Sequence, residues 1–93
     1  MTRSELIEAV VSKVSNFTKK DIELIVETTF NSMAESLTRG EKIEIRGFGS
    51  FKVKERDGRQ GRNPKSGEGI YIEAKKVPFF KAGKELKERV NRL

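Results

Sequence analysis

Ninety-three residues with a formal net charge of +6 and no cysteine, histidine or tryptophan exclude disulfides and thiolate metal sites. They also lack the usual neutral-pH acid–base group and the commonest metal ligand. One small domain is expected. It is expected to be soluble and intracellular, since its wholly apolar runs fall far short of a membrane span and its N-terminus opens on a capped helix instead of a signal or transit peptide.

Thr2-Arg3-Ser4-Glu5 reads as a capping box, and Leu6, Ile7, Val10, Val11 and Val14 follow at helical spacing until Ser15-Asn16. Thr18 with Asp21 starts a second helix, whose stripe is Ile22, Ile25, Val26, Phe30, Met33 and Leu37, and Gly40 ends it. Both stripes are expected to be core, with the helices forming an antiparallel-like hairpin or V. From Glu41 the period becomes two. Ile43 and Ile45 point one way, and Lys42, Glu44 and Arg46 the other. Gly47-Phe48-Gly49 is expected to turn tightly, and Phe51 and Val53 resume the apolar face opposite Lys52 and Lys54. Residues 55–69 carry almost no apolar side chain, and Ile70, Ile72 and Ala74 mark a returning strand near Lys75 and Lys76. Val77, Pro78, Phe79 and Phe80 read as an apolar patch leading out of the sheet, before a last helix from about Gly83 with Leu86 and Val90 facing inward.

Charge divides the chain. Residues 1–40 carry five Lys/Arg against six Asp/Glu, and residues 41–93 carry fifteen against eight. Such segregation suits a nucleic acid or an anionic membrane, though a merely soluble basic surface would look similar. The arrangement separates these readings. Lys52, Lys54, Arg56, Arg59, Arg62 and Lys65 are stepped along a segment that strands bracket, with Gly58, Gly61 and Gly67 between them and Pro64 near the tip. That is a long hairpin arm able to lie in a groove of a polyanion, with affinity that falls steeply with salt. Alone, Asn63-Pro64 is ordinary turn chemistry; with Arg56, Arg59 and Arg62 stepped along the approach and Lys65 just beyond it, a wedge between stacked base pairs becomes the better reading of Pro64. Glu44 and Arg46 read as a surface ion pair, or as a carboxylate aiming a guanidinium into a narrow minor groove. Lys81, Gly83 and Lys84 read as loop-to-helix punctuation or as a phosphate site at a helix start, with Arg3 and Ser4 a weaker counterpart. Gly58-Arg59-Gln60-Gly61 is not a nucleotide-binding loop, because no helix with Lys-Ser/Thr follows it.

Gly47-Phe48-Gly49-Ser50-Phe51, the run from Arg56 through Arg59, Gly61, Arg62, Asn63 and Pro64 to Ser66-Gly67, and Val77-Pro78-x-Phe80-Lys81-x-Gly83-Lys84-x-Leu86 together resemble the bacterial histone-like DNA-bending proteins, HU and integration host factor. The resemblance runs the whole length. Ile43 to Phe51 and the opening Met1-Thr2-x-Ser4-Glu5-Leu6-Ile7-Glu8 look most like the beta type of integration host factor. It implies an α+β fold: an intertwined dimer with a helical base of two N-terminal helices (1–40), a three-stranded antiparallel sheet (41–80) extended into a β-hairpin arm at about 55–73, and a short C-terminal helix (81–93). Two arms would wrap the minor groove of double-stranded DNA, with Pro64 intercalating on each side. Arg46, oriented by Glu44, would help read a preferred site, while Arg3, Ser4, Gly83 and Lys84 grip flanking phosphates. The DNA-binding set is then Arg3, Ser4, Lys42, Glu44, Arg46, Gly47, Lys54, Arg56, Arg59, Arg62, Asn63, Pro64, Lys65, Lys75, Lys76, Lys81, Gly83 and Lys84. Ala82 stands where the family often has proline, which would loosen that helix entry, and Ser66 replaces the more usual threonine.

The expected function is therefore non-enzymatic DNA bending in the bacterial nucleoid, serving its organisation, recombination, replication and the control of transcription and translation. No cofactor, metal, membrane or small-molecule substrate is expected. The resemblance favours an alpha-type paralogue as the dimer partner, with a homodimer open. Two alternatives stay open as well: an HU-like homodimer that compacts DNA without sequence preference, and a scaffold whose basic arm docks an acidic protein.

Overall fold

A computed structural model describes residues 1–63 and 65–92, apart from the side chains of Arg59 and Ile72. Pro64 and Leu93 lie outside the described residues. The chain divides into two compact units, Met1–Glu35 and Ser36–Leu93.

The first unit holds helix α1 (Arg3–Lys13) and most of α2 (Lys19–Thr38). Both start as their sequences require. Glu5 N–H donates to the Thr2 hydroxyl oxygen at 3.1 Å, while the Thr2 hydroxyl donates to the Glu5 carboxylate. At α2 the exchange is fully reciprocal. Asp21 N–H donates to Thr18 Oγ1 and Thr18 N–H to Asp21 Oδ2, both at 3.1 Å. Thr18→Ala removes the hydroxyl half of this cap and is expected to cost about 1 kcal/mol in urea unfolding. Asn16, in left-handed conformation, ends the α1 link. Lys19 Nζ meets Glu8 Oε1 at 2.7 Å, and this hydrogen bond raises the lysine's pKa above its ordinary value.

Ile7, Ile22 and Val26 are buried, with Leu6, Val10 and Val11 packed against them. The predicted stripes are only partly inside: Ile25 and Phe30 are about half exposed, and Val14 is exposed too. One chain by itself does not cover them. At the end of α2, Gly40 takes φ +78°. Its N–H bonds Leu37 O while Glu41 N–H bonds Ser36 O, the paired Schellman bonds that satisfy the last carbonyls.

The second unit is built on a three-stranded antiparallel sheet in the order β1 (Ile43–Ile45), β2 (Gly49–Arg56), β5 (Lys75–Ala82). A two-stranded ribbon, β3 (Arg59–Arg62) with β4 (Gly69–Ile72), precedes β5 in the chain. Val77 to Phe80 therefore do not lead out of the sheet, as the sequence suggested; they form the middle of β5. Pro78 is tolerated because β5 is an edge strand. Phe80 stacks on Phe51 at 4.7 Å and on Phe48 at 5.5 Å between ring centroids. A short helix, α3 (Lys84–Val90), closes the unit. Its Leu86 is half-buried but Val90 is exposed, against the expectation that both face inward.

The two ladders share one register. Arg56 pairs with Lys75 and Arg59 with Ile72, so pairing lapses for two steps at Asp57-Gly58 and Glu73-Ala74 and resumes without a slip. The arm is thus the β2–β5 hairpin continued.

Candidate functional site

Register decides which cations can act together. Strand residues alternate between faces, so Lys52, Lys54 and Arg56 of β2 share a face with Lys75, Val77, Phe79 and Lys81 of β5. The other face carries Ile43, Phe51, Val53, Pro78 and Phe80. The sheet is therefore two-sided: apolar on one side, cationic on the other. Lys54 Nζ lies 3.6 Å from the Phe79 ring centroid. Lys76 separates from its neighbour Lys75, because it sits opposite Glu55 on the apolar side and meets Glu55 Oε1 at 3.9 Å. It leaves the cationic set.

Along the arm, Gln60 and Arg62 share a face with Tyr71, while Gly61 faces Ile70. Arg59 is placed opposite Ile72 in the ladder. Asn63 closes the tip, in keeping with the turn chemistry that Asn63-Pro64 suggests. Its N–H donates to Glu68 O at 2.8 Å, its carbonyl accepts from Gly67 N–H at 2.8 Å, and its side-chain Oδ1 accepts from Lys65 N–H at 2.9 Å. Asx turns of this kind fix a loop through side-chain chemistry. Pro64, the expected wedge, falls outside the described residues.

The Glu44–Arg46 pair does not form as expected. β1 ends at Ile45, and Phe48 N–H bonds Ile45 O at 2.9 Å. Gly47, at φ +84°, then takes the third position of a type II turn that places Arg46 at the second. The turn thus runs from Ile45 to Phe48 and begins two residues before the expected start at Gly47. Glu44 instead meets Lys42 Nζ at 2.9 Å, and Arg46 has no ion pair among the described residues. Arg46 is exposed and lines an open groove of about 940 Å³ with Lys42, Ser50, Lys81, Lys84 and Lys87, alongside Glu44, Glu85 and Glu88.

The start of α3 is pinned to this turn. Gly83 N–H donates to Phe48 O at 2.8 Å, so it is not among the amides that could take a phosphate. Glu85 in the first turn of α3 already complements the helix dipole. Lys81 and Lys84 remain exposed cations beside it. β5 runs unbroken to Ala82, paired with Gly49. In the helical unit Arg3 pairs with Glu27 at 3.6 Å, and Ser4 is exposed. Lys52, omitted from the sequence-derived site set, belongs to the cationic face; its two-residue spacing from Lys54 was the available signal.

Among the described residues no group of His, Cys, Asp or Glu could hold a metal ion, and no helix is long and apolar enough to cross a membrane.

Residues 1–91 match the family model described as Bacterial DNA-binding protein. Integration host factor subunit beta of Halorhodospira halophila is 55% identical over 91 residues, covering 98% of this chain and 89% of that protein. The subunit beta of Alkalilimnicola ehrlichii is 54% identical, covering 98% and 91%. In structure, Anabaena HU cocrystallised with DNA gives a TM-score of 0.87 at 40% identity, covering 98% of both chains. HU from Thermotoga maritima gives 0.69 at 37% identity, covering 98% of this chain and all of that one.

Proposed function

The chain belongs to the bacterial DNA-binding protein family, and from that premise we propose that it acts as one half of a dimer that bends duplex DNA through the minor groove. Its role is architectural rather than enzymatic. The observation that carries the bending reading is the shared register of sheet and arm, which strings Lys52, Lys54, Arg56, Lys75 and Lys81 along one face that continues into Gln60 and Arg62. A curved polyanion fits such a track, and each phosphate held releases counterions. Lys42, Lys65 and Lys84 extend the charge at the groove and the tip, and Arg3 and Ser4 add contacts from the helical unit.

Dimerisation is supported by what one chain leaves open. Only Ile7, Ile22 and Val26 are buried among the described residues, while Phe48, Phe80, Ile45 and Phe30 stay 38–52% exposed. A second chain laid on these faces would supply the missing core. The subunit-beta relatives favour an alpha-type paralogue as that second chain, and the stoichiometry of the purified complex checks it. The location that goes with this reading is the nucleoid in the bacterial cytoplasm.

Pro64 is proposed as the wedge. A rigid ring with no N–H, next in sequence to Asn63, can enter a base step at an unstacking cost of a few kcal/mol, offset by the contacts a bent duplex makes. Pro64→Ala should shrink the bend in an end-to-end energy-transfer assay while leaving most phosphate contacts. An unchanged bend would remove the wedge and favour the arm as a protein-docking device.

Arg46 is proposed as the site reader. It is exposed at the head of a turn and has no ion pair to break among the described residues. Arg46→Ala is expected to lower the ratio of specific to random-duplex affinity by about tenfold, with a smaller loss on random duplex. Equal losses on both would deny it a readout role.

A further inference from the structure

Phe79 occupies an unexpected place for an apolar ring. The β2–β5 register sets it directly opposite Lys52, and strand alternation puts it on the face of Lys54, Lys75 and Lys81. The stacked Phe48, Phe51 and Phe80 rings form a separate cluster. Phe79 is 39% exposed, and the Lys54 ammonium rests 3.6 Å from its centroid. A lysine over an exposed ring stabilises a fold only slightly, and the open part of the ring leaves apolar surface among the cations of this face.

Resting on the duplex-binding reading above, we propose that Phe79 is a DNA-contacting residue whose ring packs on a deoxyribose of the minor-groove wall while Lys54 transfers from the ring to a neighbouring phosphate. The chemistry selects the sugar. A phenyl ring accepts no phosphate hydrogen bond, and the bases of a duplex are stacked inside, so the apolar surface a groove wall offers is the sugar itself. Cations surround the ring on its face: Lys52 across the strand pair, Lys54 on the diagonal and Lys81 two residues along. A ring seated among these cations meets sugar wherever they meet the phosphates on either side. In the free protein the ring holds Lys54 over the place the backbone will occupy, which limits the rotamer freedom that the lysine loses on binding.

The test uses the full chain in its dimer, and the absence of tryptophan in this chain makes it direct. Phe79→Trp introduces one indole per chain. Its acrylamide quenching is expected to fall several-fold when saturating duplex DNA is added. Phe79→Ala is expected to weaken duplex binding about tenfold while leaving the slope of log affinity against log salt unchanged. Lys54→Gln should instead flatten that slope by about 0.9 for each phosphate no longer neutralised. If Phe79→Ala fails to fold by circular dichroism, the indole measurement decides alone. An indole equally quenchable with and without bound duplex, or one already shielded before DNA is added, would overturn the proposal, as would unchanged binding by a folded Phe79→Ala. Failure of the wild-type protein to bind duplex at all would instead overturn the reading on which the proposal rests.

Discussion

Gly49→Ala is expected to melt on the order of 10–20 °C below the wild-type protein at equal concentration. Gly49 opens β2 and pairs with both Ile45 and Ala82. A Cβ there would stand 2.5 Å from the Lys81 carbonyl oxygen and 2.7 Å from two atoms of the Phe80 ring. The carbonyl belongs to the paired edge strand and cannot swing aside, and the ring is stacked on Phe48 and Phe51. Relief requires the strands to part, at a cost of about 2–3 kcal/mol. Gly40→Ala is the informative control. Gly40 has nothing within 4 Å of its would-be Cβ but sits at φ +78°, so the methyl there meets only backbone strain, about 1 kcal/mol. If both variants melt together, the close approach of β5 to Gly49 is not what makes this glycine necessary.

Replacing Lys52, Lys54, Lys75 and Lys81 together by glutamine is expected to lower duplex affinity by about two to three orders of magnitude near 0.15 M salt. The salt slope should fall by about 3–4 for each chain in the complex. All four lie on one face of β2 and β5, so a duplex laid on that face meets them together, and every phosphate left without its lysine keeps its condensed counterions. Lys75 and Lys76 provide the sharpest comparison. They are adjacent in sequence and on opposite faces, and Lys76 is paired with Glu55. Lys75→Gln alone should reduce the slope by about 0.9, while Lys76→Gln leaves it nearly unaltered. Titrations at several salt concentrations check both. Equal effects from the two would mean that the duplex does not lie on the cationic face.

The helices were legible in the sequence because their signals are local. A cap needs a hydroxyl and a carboxylate three residues apart, as in Thr18 and Asp21, and a stop needs a residue at ease with positive φ, as at Gly40. The alternation of Lys52, Val53 and Lys54 likewise showed a two-sided strand. What failed depended on hydrogen bonds between distant residues. Val77 to Phe80 carry no period-two pattern of their own, and only pairing with β2 makes them strand. Glu44 and Arg46 have the spacing of strand neighbours, but the Phe48–Ile45 turn bond takes Arg46 out of the strand. Lys75 and Lys76 look equivalent as adjacent cations, and only the register assigns them to opposite faces. The apolar stripe of α2 was read as core in full. Its exposed Ile25 and Phe30 show that a hydrophobic pattern marks what must be covered, without saying which chain covers it.

The lapse of pairing at Asp57-Gly58 and Glu73-Ala74 gives the arm an elbow. On either side the ladders hold the same register, so the forearm can flex about this joint without losing count of its rungs. Flexing there stretches no ladder bond, whereas sliding by one residue would break every rung beyond the joint and turn the outer side chains to the wrong face. On the proposed duplex-binding reading, a clasp built this way would adapt to duplexes of differing stiffness and curvature while presenting the same side chains to them. Tolerance of DNA shape and constancy of contact, which usually oppose each other in a rigid binder, thus reside in two unpaired steps of a single hairpin.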